Sequence, residues 1–154
     1  MASTAQIISV LIADDRKEFQ QLAAACLEDD PHITIVGFAE TGEAVIEQTV
    51  RWRVDLVVLD MWLSGMDGLT ALRHIKKFPS APRVIVVHLY DDPACRLAAQ
   101  KSGADGFVPK TDFPTTLLQA VLGQFHITVE QARTRELKGV PVRKHRSIEG
   151  LTRS

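Results

Sequence analysis

The sequence predicts a doubly wound α/β fold, in which helices cover both faces of one five-stranded parallel sheet. Five short apolar runs rich in β-branched residues alternate with five stretches in which apolar residues recur at helical spacing. Five strand-helix units in a row favour a parallel sheet of this kind. The length of 154 residues suits one domain, and 45% hydrophobic with 24% charged residues is typical of a globular protein.

The predicted strands are nearly continuous apolar runs, as expected for strands buried on both faces. They are too short for typical helices, and turn-forming or charged residues bound them. In chain order, they span residues 7–13, 32–38, 55–59, 83–88 and 106–108.

The first two predicted helices have clear boundaries. The first helix has one apolar face, and it stops before Pro31 because a residue that precedes proline avoids the helical region. Thr41 is predicted to cap the second helix, which runs to about Trp52. The apolar face of the first helix consists of Phe19, Leu22, Ala23 and Cys26.

The remaining helices are placed by proline and glycine. The third spans about residues 69–78, and prolines mark the turn after it. Pro93 suits the first turn of the fourth helix, where its missing N–H costs nothing, and Gly103 suits its C-terminal end. The fifth spans about residues 114–125.

Charged side chains directly follow several of the strands. Ligands of such folds bind outside the carboxyl ends of the strands, where we expect Asp14, Asp15, Asp60, His88 and Lys110. Singly, each acidic residue could cap a helix or form a turn, and a lone lysine is usually a surface charge. Together, three clustered carboxylates need a cation, for which Mg²⁺ fits, or one of them must take a proton, and the lysine suits a phosphate-like group.

These residues carry a resemblance to a known family. The order Asp14-Asp15, then Asp60-Met-Trp-Leu-Ser-Gly-Met-Asp-Gly68, then Phe107-Val-Pro-Lys110 resembles the receiver domains of two-component response regulators. The resemblance covers about residues 6–125, and residues 89–92 and 103–107 are most similar to the nitrate-regulator class. It implies a flavodoxin-like sheet with strand order 2-1-3-4-5.

The resemblance also implies a role for each site residue. Asp60 matches the phosphoryl acceptor, and Lys110 matches the lysine that pairs with the phosphoryl group. Asp14 and Asp15 match an acidic pair that binds Mg²⁺ together with Asp60 and the backbone carbonyl of Trp62. Catalysis of phosphoryl transfer is largely positioning and cationic stabilisation, which agrees with this set of residues.

Three positions depart from the family pattern. His88 stands where the family has Ser or Thr, Leu89 stands where a small residue is usual, and Ser64 stands where Pro is common. Phe107 matches the aromatic residue that reorients on activation. The substitution at His88 leaves the charged residues of the acceptor site unchanged, but it makes the switch position atypical. The imidazole either faces solvent or contacts the phosphoryl group.

The resemblance implies a phosphohistidine donor on a histidine kinase or phosphotransfer protein, and a downstream protein of unknown identity. We expect no nucleic-acid contact by the receiver itself and no enzymatic activity beyond its own phosphotransfer and slow autodephosphorylation. The sequence leaves open whether the protein forms a homodimer. A cytoplasmic location without a membrane segment is expected, because no apolar run is long enough to span a bilayer and no secretory signal begins the chain.

The C-terminal residues differ in charge from the rest. Residues 1–125 carry 11 Lys/Arg and 16 Asp/Glu, whereas residues 126–154 carry 7 and 3. Residues 128–137 fit a short helix, and residues 138–154 fit a disordered basic tail or linker. No helix-turn-helix pattern is visible, so the protein either acts alone through protein contacts or is the receiver of a longer chain.

Three other functions compete with a phosphorylated receiver. A hydrolase of the haloacid-dehalogenase type needs a second Asp two residues after its nucleophile, where Trp62 stands. A nucleotide-binding domain needs a glycine-rich loop after the first strand, which is missing. A receiver fold kept for phosphorylation-independent binding is favoured by His88 and opposed by the intact acidic residues and Lys110.

Overall fold

The computed structural model describes residues 6–127 and confirms a five-stranded parallel sheet in the order β2-β1-β3-β4-β5. Because the strands are rich in Val, Ile and Leu, they fit positions that are covered on both faces. The strands are β1 (Ile8–Ala13), β2 (Ile33–Ala39), β3 (Leu56–Asp60), β4 (Arg83–His88) and β5 (Gly106–Pro109).

Five helices connect and follow these strands, and the short 3₁₀ turn Lys110–Asp112 follows β5. As predicted, the Thr41 hydroxyl caps the second helix by accepting from the Ala44 amide, and Pro93 opens the fourth. Gly103 follows the fourth helix with a φ of +107°, which glycine adopts without strain. The helices are α1 (Lys17–Glu28), α2 (Gly42–Trp52), α3 (Gly68–Ile75), α4 (Pro93–Lys101) and α5 (Thr115–Gly123).

The sheet separates two apolar layers. One includes Leu27 of α1 and Leu117 of α5, and the other includes Val45 of α2, Leu72 of α3 and Ala99 of α4. Successive residues of each strand contribute to opposite layers, because side chains alternate across a sheet. This packing leaves the carboxyl ends of the strands as a rim of loops.

The buried face of α1 differs from the predicted one. Leu22 is 37% exposed, whereas Gln20 and Leu27 are buried together with Ala23. The helix is rotated because the Gln20 side-chain amide donates to the Asp14 carbonyl oxygen at 2.6 Å, which draws this polar residue inward. The small alanines of α1 also pack closely on the sheet, which a face assigned from the larger side chains does not anticipate.

Gly68 fixes the start of α3 against the end of β3. A Cβ at this position would overlap the carbonyl oxygen of Asp60, and the Gly68 amide donates to the Met61 carbonyl at 3.1 Å. A residue without a side chain is therefore needed where the loop after Asp60 returns to the sheet.

The predicted helix at 128–137 and the predicted tail at 138–154 lie outside the described residues. The receiver limits of 6–125 stay a prediction. Between residues 6 and 127, none of the helices combines the length and apolar character that crossing a membrane requires.

Candidate functional site

The structure brings the predicted acidic and basic residues together at the carboxyl ends of the strands. Asp14 directly follows β1, Asp60 ends β3, and Lys110 follows β5. The Lys110 ammonium lies 2.7 Å from Asp14 Oδ2 and 3.3 Å from Asp60 Oδ2. These contacts join residues that are 96 and 50 positions apart in the chain, so the fold itself assembles the cluster.

Three carboxylates form a group with the spacing of a metal site. One oxygen from each of Asp14, Asp15 and Asp60 lies within 4.8 Å of the others, and no other such group occurs among residues 6–127. Asp14 and Asp60 are buried, whereas Asp15 is exposed and accepts from the Ser64 hydroxyl at 3.3 Å. The three carboxylates offer an all-oxygen donor set, which fits a hard divalent cation.

The surroundings of Asp60 disfavour its ionised form. Burial, and then the nearby charge of Asp14, raise the pKa of the Asp60 carboxyl from 3.8 to about 6. Lys110 and the Trp62 amide act in the opposite direction, the latter by donating to Asp60 Oδ1 at 3.1 Å. A bound cation would favour the ionised carboxylate that a nucleophile requires.

The main chain and α1 hold the Asp14 carboxylate in place. Its Oδ1 accepts from the Arg16 amide at 2.9 Å, while the Asp14 amide donates to the Ala39 carbonyl at 2.9 Å. The bond from Gln20 to the Asp14 carbonyl ties the same residue to α1. Asp14 is therefore fixed from three directions before any ligand binds.

The Lys110 side chain is almost fully enclosed, with 5% of its surface exposed. Besides its two carboxylate partners, its ammonium lies over the ring of Phe19, 3.9 Å from the centroid. The sequence assigned Phe19 only to an apolar helix face and did not anticipate this contact. Its position in the first turn after Asp14-Asp15 was the available signal.

His88 is buried, with 8% of its surface exposed, so the solvent-facing interpretation is wrong. Its ring lies between those of Trp62 and Phe107, with centroids 6.3 and 6.4 Å away. Its Nδ1 is the one buried side-chain nitrogen or oxygen between residues 6 and 127 without a hydrogen-bond partner.

Arg96 covers the other aromatic residue of this region. Its guanidinium lies 4.8 Å from the centroid of the Phe107 ring and forms an ion pair with Asp91, and the sequence anticipated neither contact.

Comparison with known proteins identifies the family. A family model described as the response regulator receiver domain matches residues 10–122. The chain belongs to this family. The match includes all four charged residues of the cluster, and a receiver is a signalling domain of two-component systems.

Two classes of relatives share this receiver. A protein-glutamate methylesterase/protein-glutamine glutaminase of Oleidesulfovibrio alaskensis is 38% identical over 105 residues, which cover 68% of this chain and 28% of that protein. The probable transcriptional regulatory protein NarL of Mycobacterium tuberculosis is 29% identical over 115 residues, which cover 75% of this chain and 53% of that protein. The chain thus spans about a quarter to a half of the length of these relatives. The activities in their names belong to those proteins.

A solved receiver has the same fold. The signal receiver domain of NarL from Mycobacterium tuberculosis matches with a TM-score of 0.73 and 28% identity, over 77% of this chain and 96% of that chain. The predicted resemblance to the nitrate-regulator class is confirmed, and the similarity extends to the methylesterase class, which the sequence analysis did not single out.

The raised pKa of Asp60 predicts a pH-dependent stability. Because the folded state holds this proton more tightly than the unfolded state, the unfolding free energy should fall as pH rises from about 4 through 6. With divalent cations removed by a chelator, Asp60→Asn should therefore raise the free energy of unfolding at pH 7.5 by about 2 kcal/mol. This gain should shrink as the pH falls towards about 4. Urea unfolding measures this, with Asp112→Asn as an exposed control. Equal stability of Asp60→Asn and wild type at pH 7.5 would contradict the raised pKa.

Proposed function

We propose that this receiver accepts a phosphoryl group on Asp60 in a Mg²⁺-dependent reaction. The observation that carries the proposal is the buried Lys110 ammonium, which lies against the Asp60 carboxylate inside a cluster of three carboxylates. Such a site offers a nucleophilic oxygen, a fixed positive charge and oxygen ligands for a cation. These are the requirements of phosphoryl transfer to a carboxylate.

In the proposed reaction, a carboxylate oxygen of Asp60 forms a bond to phosphorus as the phosphorus–nitrogen bond of a phosphohistidine breaks. The electron pair of that bond remains on the imidazole nitrogen of the donor, which then takes up a proton. Lys110 pairs with an oxygen of the transferred group, and the Trp62 amide, which donates to Asp60 Oδ1, helps to orient the nucleophile.

Asp14, Asp15, Asp60 and the backbone carbonyl of Trp62 would hold the Mg²⁺, which supplies positive charge to the phosphoryl oxygens when bound. Ser64 fits this assignment, because its hydroxyl bonds the exposed Asp15 carboxylate and restricts its orientation. The Pro usual at this position could not make this bond, so the departure at Ser64 adds a contact to Asp15 and is compatible with the cation site.

We further propose that the receiver acts in the cytoplasm. A histidine kinase or phosphotransfer protein would donate the phosphoryl group, and a downstream protein would bind the receiver. Receivers of this family interact with such donors. The large side chains of Trp62 and Tyr90, on the loops after β3 and β4, are 61% and 67% exposed, which leaves apolar surface for a partner near the acceptor. Free Cys26 and Cys95 suit a reducing compartment.

Labelling with a small phosphodonor tests the acceptor. Acetyl phosphate with Mg²⁺ should add one phosphoryl group to the intact chain, detected by mass spectrometry. Asp60→Asn should remove the added mass, whereas the exposed control Asp112→Asn should keep it. Labelling that persists in Asp60→Asn would overturn the assignment of the acceptor.

His88 favours a second candidate function, a receiver that binds its partner without phosphorylation. The residue replaces the hydroxyl that the family uses to respond to the phosphoryl group, and its ring fills the space between Trp62 and Phe107. Wild type that gains no mass from acetyl phosphate and Mg²⁺ would favour this function over the phosphorylated receiver.

The packing of His88 also supports an atypical switch. A small hydroxyl can move towards the phosphoryl group and leave space for the aromatic residue to enter, but the buried imidazole already occupies the position next to Phe107. Arg96 covers the Phe107 ring as well, 4.8 Å from its centroid. We infer that phosphorylation shifts this region little, because a ligand moves an equilibrium only through its different affinities for the two states.

Amide NMR with a beryllofluoride mimic and Mg²⁺ tests this coupling. We expect small shifts at Leu89 and Phe107 in wild type and larger shifts in His88→Thr. The same substitution at the exposed His74 is the control and should behave as wild type. Large shifts in wild type that spread over α4 and β5 would show that the imidazole replaces the hydroxyl, contrary to the inference.

A further inference from the structure

Phe19 is the third neighbour of the Lys110 ammonium. An ammonium has three N–H donors, and the carboxylates of Asp14 and Asp60, at 2.7 and 3.3 Å, can accept two of them. The face of the Phe19 ring lies on a further side, with its centroid 3.9 Å from Nζ. The aromatic face carries partial negative charge, and it attracts a cation more strongly where water is excluded.

The two carboxylates hold the ammonium unequally. Asp14 makes the shorter contact, yet Asp14 is also one of the three residues proposed to bind a divalent cation. Once its carboxylate is shared with a cation, its attraction for Lys110 weakens. An aromatic ring does not ligate Mg²⁺, so the contact with Phe19 is the one that cation binding leaves unchanged.

We propose that Phe19 is a positioning residue, whose ring face keeps the Lys110 ammonium beside Asp60 when Asp14 is engaged by a divalent cation. This inference rests on the proposed phosphoryl transfer and adds a residue to it. The ring then contributes more to holding the Lys110 ammonium in the cation-loaded protein than in the cation-free protein. A ring that keeps the ammonium beside Asp60 in the cation-loaded protein speeds labelling, because it holds this positive charge where charge develops in the transition state.

The first turn of α1 keeps Phe19 in this place. The Phe19 amide donates to the Arg16 carbonyl at 3.1 Å, and the next residue, Gln20, is bonded to the Asp14 carbonyl at 2.6 Å. The same short segment therefore carries Asp14 and the ring, and both approach Lys110 from it. Leucine at position 19 would fill much of the space but would lose the charge of the ring face.

Stepwise fluorination of Phe19 tests the electrostatic role of the ring without changing its shape much. The full-length protein is prepared with 4-fluoro-, 3,5-difluoro- or 3,4,5-trifluorophenylalanine at position 19, since fluorine withdraws charge from the ring face. The initial rate of labelling by acetyl phosphate and Mg²⁺ should fall at each step, to about a tenth of the wild-type rate for the trifluoro protein. The same series at Phe78, on the turn after α3, should leave the rate unchanged.

A rate that does not depend on fluorination at position 19 would overturn the proposal, and so would an equal decline for Phe78. If the ring only filled space, Phe19→Leu would change the labelling rate, but successive fluorination would not lower that rate in graded steps. The graded decline therefore separates an electrostatic contact from simple packing.

A second measurement does not depend on phosphorylation. A lysine end group above an aromatic face shows upfield proton shifts, so the ε-CH₂ signal of Lys110, assigned with Lys110→Arg, should lie upfield and return to its ordinary position in Phe19→Leu. On addition of Mg²⁺ alone, the wild-type signal should stay upfield. A signal that moves to its ordinary position with Mg²⁺ would overturn the inference. A wild type that is not labelled but keeps this signal would instead count against the proposed function alone.

Discussion

The site depends on one buried ammonium, that of Lys110, which is held between two buried carboxylates. Lys110 is held between Asp14 and Asp60 with only 5% of its side chain exposed, and burial of so many charges is costly unless each is paired. Burial, and then the nearby charge of Asp14, raise the pKa of Asp60 to about 6, because the single ammonium of Lys110 does not fully offset these two effects. A bound cation would supply the further positive charge that we propose for this site, and the proposed phosphoryl transfer to Asp60 would use the same charge.

The fold supplies this arrangement through its strand order. With β1 and β3 adjacent at the centre of the sheet, Asp14 and Asp60 come from neighbouring strands, while Lys110 follows the edge strand β5. The lysine must reach back across the end of β4, and its side chain is long enough to do so. His88 ends β4 and is buried, and the side-chain hydrogen bonds that Lys110 and Asp60 form within residues 6–127 do not include it.

Much of the fold was predictable because buried strands and amphipathic helices leave clear periodicities, while the strand order followed from the family resemblance. The limits of β4 agree at both ends, and Asp60, expected just after the third strand, is its last residue. The buried face of α1 was not predictable, because helical spacing does not reveal that Gln20 turns inward to bond a main-chain carbonyl. The contact of Phe19 with Lys110 and the burial of His88 beside Phe107 join segments that are distant in the chain, so the sequence did not anticipate the first and left the second open.

Calorimetric titration with Mg²⁺ most directly tests whether the carboxylate cluster requires a cation. At neutral pH, the wild-type protein should bind one Mg²⁺ per chain, and Asp14→Asn or Asp15→Asn should weaken binding at least tenfold, or by about 1.4 kcal/mol. Asp112→Asn, which removes an exposed carboxylate at the end of the 3₁₀ turn after β5, should bind as wild type does. No measurable binding to wild type, or equal affinity in all four proteins, would contradict a cation site formed by these carboxylates.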